Sequence, residues 1–131
     1  MKTVRVSDLE GAALDWAVAK AVGFDDVRID IDGDVIIIHE DNDLCGLIDS
    51  EVYKPSARWG QCGPLIENHI IMMQHTQGAM IGDSVGEWMA TATYDDGLCL
   101  ADSPLIASCR AIVAANIGDE VDVPDELVET A

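Results

Sequence analysis

A chain of 131 residues, 49% of them hydrophobic and 24% charged, has the composition of one globular domain rather than of a disordered protein. Its 25 acidic residues against 7 Lys and Arg give a formal net charge of −18, and such a field repels phosphate, so direct nucleic-acid binding is disfavoured. No apolar run approaches the length of a membrane span, so no membrane association is expected.

The four cysteines indicate the redox setting of the chain. Cys45, Cys62, Cys99 and Cys109 form no C-x-x-C pair and have no histidine at zinc spacing. The N-terminus lacks the apolar segment of an export signal. We therefore expect a cytoplasmic protein with reduced thiols, and a disulfide framework is the less favoured alternative because a domain of this length needs no covalent staple.

The first predicted element is a helix. Ser7-Asp8-Leu9-Glu10 fits a capping box, in which the serine and glutamate side chains satisfy free backbone donors at a helix start. Apolar residues then recur at three- and four-residue steps, and Gly23 offers a left-handed stop. The pattern predicts a helix from about Asp8 to Val22.

A β-hairpin is predicted next. Residues 27–31 alternate strictly, Asp32-Gly33 suits a tight turn, and residues 34–39 return as an apolar run. With a two-residue turn, the predicted pairs are Ile31 with Asp34, Ile29 with Ile36, and Val27 with Ile38. Because the return strand also carries Val35 and Ile37 on its other face, we expect it to be covered on both sides.

The middle of the chain is the least regular part. Residues 40–62 show no period, and irregular stretches of this length are more often binding loops than connectors, although a short strand near Leu47 to Val52 would shorten this one. Gly63-Pro64 predicts a short helix with proline at its first position. The segment from Ile70 to Met73 is ambiguous between helix and strand.

The C-terminal half adds a strand and a second long helix. Alternation predicts a strand from Glu87 to Tyr94, and Ser103-Pro104 is a strong helix start matched by a stop at Gly118. The acidic tail from about residue 119 carries a short edge strand before it frays. Taken together, these elements predict one α+β domain over residues 1–131, with two long helices and a short helix packed on an antiparallel sheet of three to five strands.

No motif for metal or cofactor chemistry is complete. Asp30-Ile31-Asp32-Gly33-Asp34 opens like a calcium loop, but Val35 replaces the glycine of the sharp turn and Asp41 replaces the bidentate glutamate ligand. The histidines at 39, 69 and 75 have no metal spacing, and the glycine-rich stretch 82–86 lacks a phosphate-binding lysine. We expect no metal, no cofactor and no catalytic residue, although a cysteine nucleophile with a distant histidine would leave no signal.

Three motifs follow one another along the chain. They are SDLEGAALDWAVA at 7–19, the pair YKPS at 53–56 with WGQCGPLIE at 59–67, and SPLIASCR at 103–110 through GDEV at 118–121. Together they resemble the NinX family of tailed-phage and prophage proteins, which has no assigned activity. The resemblance implies a prophage setting in a bacterial cytoplasm, among accessory replication and recombination genes. The Pro55-Ser56 loop and the helix from Pro104 to Arg110 also resemble small phage domains described as α-β-α sandwiches, which implies a central antiparallel sheet with helices on both faces. The NinX resemblance implies no reaction.

One constellation suggests a binding site. Tyr53, Ser56, Arg58, Trp59 and Gln61 place aromatic faces, hydrogen-bonding groups and one guanidinium within a short predicted loop. The alternative, which is the more common arrangement, is that the two aromatic residues cover a sheet edge with their polar groups satisfied.

The favoured function is that of a non-enzymatic accessory protein that binds a host or phage protein. A small-ligand or nucleotide-binding domain is the alternative from another class, since a sheet could floor a pocket. An enzyme is less favoured, and so is an acidic decoy that mimics DNA. The sequence is also compatible with a homodimer.

Overall fold

The computed structural model describes residues 2–24, 26–40, 48–70, 72–75, 88–92 and 99–128. Within them lie three helices, α1 (Gly11–Ala21), α2 (Trp59–His69) and α3 (Pro104–Asn116), and a single turn, α4 (Asp125–Val128). The strands are β1 (Lys2–Arg5), β2 (Val27–Ile29), β3 (Val35–Glu40), β4 (Ile48–Val52), β5 (Met72–His75), β6 (Trp88–Thr91), β7 (Cys99–Ala101) and β8 (Glu120–Val123).

All strand pairing in the described residues is antiparallel, which confirms the predicted α+β class. The strands form three small sheets instead of one: β1-β8, β2-β3-β4 and β5-β6-β7. Two of these sheets join strands that are consecutive in the chain, whereas the third pairs the first strand with the last. In the described ranges no helix has the length and apolar character to cross a membrane.

The main core lies where α1 and α3 pack together. Leu14, Ala17 and Val18 of α1 and Cys109 and Val113 of α3 are fully buried in it. A second, smaller cluster joins β6 and β7 to the other side of α3, and its buried members are all alanines, at positions 90, 101, 107 and 111. Small side chains let a sheet and a helix approach closely, so α3 serves as the central element of both cores.

The predicted capping box at the start of α1 is wrong. Residues Val6–Asp8 form a 3-10 turn, Leu9 is buried in an extended conformation, and the cap position Glu10 makes no side-chain hydrogen bond. The chain then enters the helix through Gly11, which has φ of +61°. Burial of Leu9 thus overrides the local capping preference, and glycine permits the backbone conformation that follows.

The hairpin forms, but its predicted register is wrong by one residue. The turn has three residues, closed by Gly33 N–H to Asp30 O at 3.1 Å and Asp30 N–H to Asp34 O at 2.9 Å, and Gly33 has φ of +85°. Asp30 Oδ1 stabilises it by accepting from the backbone N–H groups of Asp32 and Asp34. The observed pairs are Val27 with Ile37, Arg28 with Ile36, and Ile29 with Val35.

A shift of one residue exchanges the two faces of a strand. Val35 and Ile37 therefore lie in the core, each 1% exposed, while Ile36 and Ile38 are half-buried on the other face. Ile31, predicted to pair with Asp34, stands fully exposed at the tip of the turn.

The middle region is more regular than the sequence indicates. The short strand near residues 47–52 is confirmed as β4, and β5 begins within the ambiguous segment, at Met72. Helix α2 begins at Trp59, so Pro64 lies in its interior and not at its first position. Trp59 and Gln61, predicted to lie on a loop, are helical.

The C-terminal predictions hold in most respects. The predicted strand contains β6, Ser103 Oγ accepts from Leu105 N–H at 3.2 Å as the cap of α3, and Gly118 has φ of +133° beyond its end. The acidic edge strand is confirmed as β8. Beyond it the chain does not fray at once, because α4 follows and places Leu127 in the core.

Candidate functional site

The segment between β4 and α2 is held against α1. Tyr53 N–H donates to Val35 O at 2.8 Å, which continues the pairing of β4 with β3. Ala57 and Arg58 then donate to Lys54 O at 3.0 and 2.9 Å and form a tight turn. These bonds fix the backbone that carries the predicted site residues.

Gln61 closes this segment from the helix side. Its Oε1 accepts from Lys54 N–H at 2.6 Å, and its Nε2 donates to Val52 O at 2.7 Å. One amide group therefore satisfies both a backbone donor and a backbone acceptor at the exit of β4. The residue acts as a clamp between β4 and α2.

Tyr53 lies in the core. Its side chain is 4% exposed and meets the Phe24 ring edge-on, with ring centroids 5.3 Å apart. Burial raises the pKa of its hydroxyl well above the ordinary value. Tyr53 therefore packs inside the protein, as the alternative to a binding site predicted for the two aromatic residues.

Trp59 and Arg58 face solvent at the start of α2. The Trp59 side chain is 56% exposed, and Arg58 is exposed as well. Close by, Lys54 Nζ forms an ion pair with Asp34 Oδ1 at 3.0 Å, which links this segment to the hairpin. Trp59 is thus a large apolar side chain on the surface, next to Arg58 in the chain.

The structure divides the five predicted site residues into an inner and an outer group. Tyr53 and Ser56 are buried, Gln61 is half-buried with its amide engaged, and Arg58 and Trp59 are exposed. They share one short segment, as the sequence indicates, but they do not share one surface.

Asp15 is a candidate functional residue that the sequence analysis missed. It is 3% exposed in α1, and its Oδ1 accepts from Ser56 N–H at 2.9 Å. Burial raises the pKa of this carboxyl to about 6, against the opposing effects of hydrogen bonds from Ser56 and the positive charges of Lys54 and Arg58. The sequence feature that could have identified Asp15 is its position as an acid inside the apolar stretch 12–19.

Two buried thiols meet behind this segment. The Sγ atoms of Cys62 in α2 and Cys109 in α3 lie 4.0 Å apart, and both residues are 0% exposed. A hydrogen bond with Cys109 lowers the pKa of the Cys62 thiol, while the same bond and burial raise the pKa of Cys109 well above its ordinary value. The spacing of 47 residues gave no hint of this contact.

In the part of the chain that the structure describes, no three His, Cys, Asp or Glu side chains are grouped so that they could hold a metal ion. Cys45 lies outside the described residues, as do Glu87, Thr93 and Tyr94 of the predicted strand and the glycine-rich stretch 82–86.

Comparison with known proteins identifies a family. The family model described as "Bacteriophage P22, NinX" matches residues 5–116, which include most of the described elements and the whole segment from β4 to α2. A search of curated proteins gave no match.

Proposed function

This chain belongs to the NinX family of bacteriophage P22, and we propose that it is a non-enzymatic accessory protein that binds a host or phage protein in the bacterial cytoplasm. The observation that carries this proposal is Trp59, 56% exposed on a segment whose backbone is fixed. The binding surface centres on Trp59 and Arg58 at the start of α2.

The fixed backbone favours a binding role. Gln61 bonds to the backbone of Val52 and Lys54, and Asp15 bonds to Ser56, so residues 52–56 before α2 are held from two sides. A side chain presented by an ordered backbone loses less conformational entropy when it binds. Tryptophan and arginine are also the residue types most enriched among those that dominate binding energy.

The local charge also distinguishes this surface. Residues 52–66 contain Lys54 and Arg58 and no acid, within a chain whose net charge is −18. Most of the surface therefore repels an acidic partner, but this segment does not. The arrangement supports a protein partner that places an apolar pocket and a carboxylate over Trp59 and Arg58.

The observations favour a protein partner over a small ligand. A ligand site of the expected kind needs Tyr53 and Trp59 to line one concavity, whereas Tyr53 is in the core and Trp59 is exposed. That alternative and the DNA-mimicking decoy stay predictions from sequence.

The test is quantitative affinity capture from cells that carry the prophage, with the wild-type chain, Trp59→Ala and Ile117→Ala as baits. Ile117 is 43% exposed beyond the end of α3 and serves as a matched apolar control. We expect a partner that the wild type and the control retain and that Trp59→Ala loses by tenfold or more, which is about 1.4 kcal/mol.

Direct titration of that partner against the three purified chains then measures the affinity. Equal affinity for all three would place the binding surface elsewhere and overturn this proposal. Arg58→Ala is expected to weaken the same complex, with a larger effect at low salt because part of its contribution is electrostatic.

A further inference from the structure

The contact between Cys62 and Cys109 joins two helices inside the main core. Cys62 lies in the first half of α2, Cys109 lies in the middle of α3, and their sulfur atoms are 4.0 Å apart. A disulfide has an S–S distance of about 2.0 Å, so bond formation requires the two sulfur atoms to approach by roughly 2 Å.

The two thiols differ in the way that a reacting pair requires. The hydrogen bond with Cys109 lowers the pKa of the Cys62 thiol, whereas the same bond and burial raise the pKa of the Cys109 thiol. The thiolate is the reactive form of cysteine. Cys62 is therefore the attacking sulfur, and Cys109 is the sulfur that resolves the product.

Helix α2 contains several poor helix formers around Cys62. Cys62 is flanked by Gly60, Gly63 and Pro64 in a helix of 11 residues. Glycine and proline are the poorest helix formers, and Pro64 has no N–H to donate to the carbonyl of Gly60. Local unfolding of the first half of α2 gives a small oxidant access to the Cys62 sulfur, which is buried in the folded helix.

We propose that Cys62 and Cys109 form a reversible disulfide that cross-links α2 to α3 when the protein meets a peroxide. Cys62 thiolate attacks one peroxide oxygen, the O–O bond breaks, and the departing hydroxide takes a proton to become water. Cys109 sulfur then attacks the sulfenic acid on Cys62, the S–O bond breaks, and the second hydroxide leaves as water with the Cys109 proton. Two thiols are oxidised, one peroxide is reduced to two waters, and a dithiol reductant reverses the bond by exchange.

Cys99 provides an internal comparison. It is more exposed than the other two thiols, but burial of its sulfur raises its pKa to about 11, so it holds little thiolate at neutral pH. If exposure to solvent decided which thiol reacts with peroxide, Cys99 would react first. If the contact between the two sulfur atoms decides it, Cys62 reacts first.

The test treats the purified full chain with hydrogen peroxide, blocks remaining thiols with iodoacetamide under denaturing conditions, and maps the products by mass spectrometry. Trypsin leaves residues 59–110 as one peptide, which holds three of the cysteines, so cleavage after Glu67 and Glu87 is added to separate Cys62 from Cys109. The expected product is a linked pair of peptides, 59–67 with 88–110, that dithiothreitol separates.

Because the second peptide also contains Cys99, two variants assign the bond. Cys99→Ala should retain the cross-link, and Cys109→Ala should lose it and accumulate Cys62 sulfenic acid, which dimedone traps. Modification of Cys99 before Cys62, or a link from Cys62 to Cys45 or Cys99, would overturn the proposal. If Cys109→Ala does not fold, Cys99→Ala assigns the bond by itself, because its peptide 88–110 then holds Cys109 as its one cysteine.

Thermal melting gives a second readout. A cross-link over 47 residues should raise Tm of the oxidised chain by roughly 5 °C or more, because the constraint lowers the entropy of the unfolded state. An unchanged or lower Tm in a sample fully cross-linked between these cysteines would show that the bond distorts the core and is not a built-in device. Any effect of oxidation on partner binding would rest on the proposed function, whereas these measurements use no partner.

Discussion

The inner and outer sides of the segment from β4 to α2 differ in burial, although both carry aromatic and polar residues. On the inner side, Tyr53 and Ser56 are buried against Phe24 and Asp15. On the outer side, Trp59 is exposed. The comparison teaches that neighbouring residues of similar type can lie in different environments, and mutations can measure what each residue contributes to stability.

The largest expected effect is on the inner side. Tyr53→Ala should lower the free energy of unfolding by roughly 3 to 5 kcal/mol, because it removes a buried ring and leaves a cavity beside Phe24. Urea titration read by far-UV circular dichroism measures the loss. Tyr53→Phe is the matched control, since it keeps the ring, and a loss of the same size in that variant would mean that the hydroxyl group is responsible.

The second expected effect is a pH dependence from Asp15. Its pKa is raised from 3.8 to about 6 in the folded chain, so between these values the folded state binds more protons than the unfolded state. The stability from this group is therefore fully present below pH 4 and is lost as pH rises through 6, by on the order of 2 to 3 kcal/mol.

Asp15→Asn isolates this effect because asparagine does not ionise and its Oδ1 can still accept from Ser56. Unfolding free energies of both chains are measured from pH 4 to 8, and only their difference is used, since other acids contribute equally to both. The stability of the wild type relative to the variant should fall as pH rises. A constant difference, or one that rises with pH, would contradict a raised pKa.

A smaller effect is expected for the clamp. Gln61→Ala should cost roughly 1 to 3 kcal/mol, because it leaves the Lys54 N–H and the Val52 carbonyl without the amide that now satisfies them. Gln61→Glu is a graded control, since its carboxylate can accept from Lys54 but cannot donate to Val52. Stabilities equal to wild type in both variants would show that water replaces the amide without cost.

The smallest stability effect belongs to the outer side. Trp59→Ala should lower the free energy of unfolding by less than about 1 kcal/mol, as expected for a surface substitution away from the core. Circular dichroism is the suitable probe because the mutation removes a fluorophore. A loss above about 3 kcal/mol would mean that Trp59 is a core residue and would remove the basis for the proposed binding surface.

The candidate site was partly predictable from sequence. Its location and its five residues followed from the concentration of binding-type side chains between residues 53 and 61. Their division into two sides did not follow, because the segment enters α2 at Trp59 and its inner face is set by contact with α1. Asp15 and Ser56 are 41 residues apart, and nothing local in either sequence identifies the other as its partner.

The sequence by itself determined the elements whose signals are local: the cap of α3 at Ser103, the alternation that gives β6, and the residues of the hairpin. Only the tertiary structure decided the start of α1, the register of β2 against β3, and the meeting of Cys62 with Cys109. Capping and turn preferences are worth about 1 kcal/mol, whereas burial of Leu9 or of Val35 and Ile37 is worth roughly 1.5 to 3 kcal/mol for each side chain. Where the two conflict in this protein, the core decides the conformation.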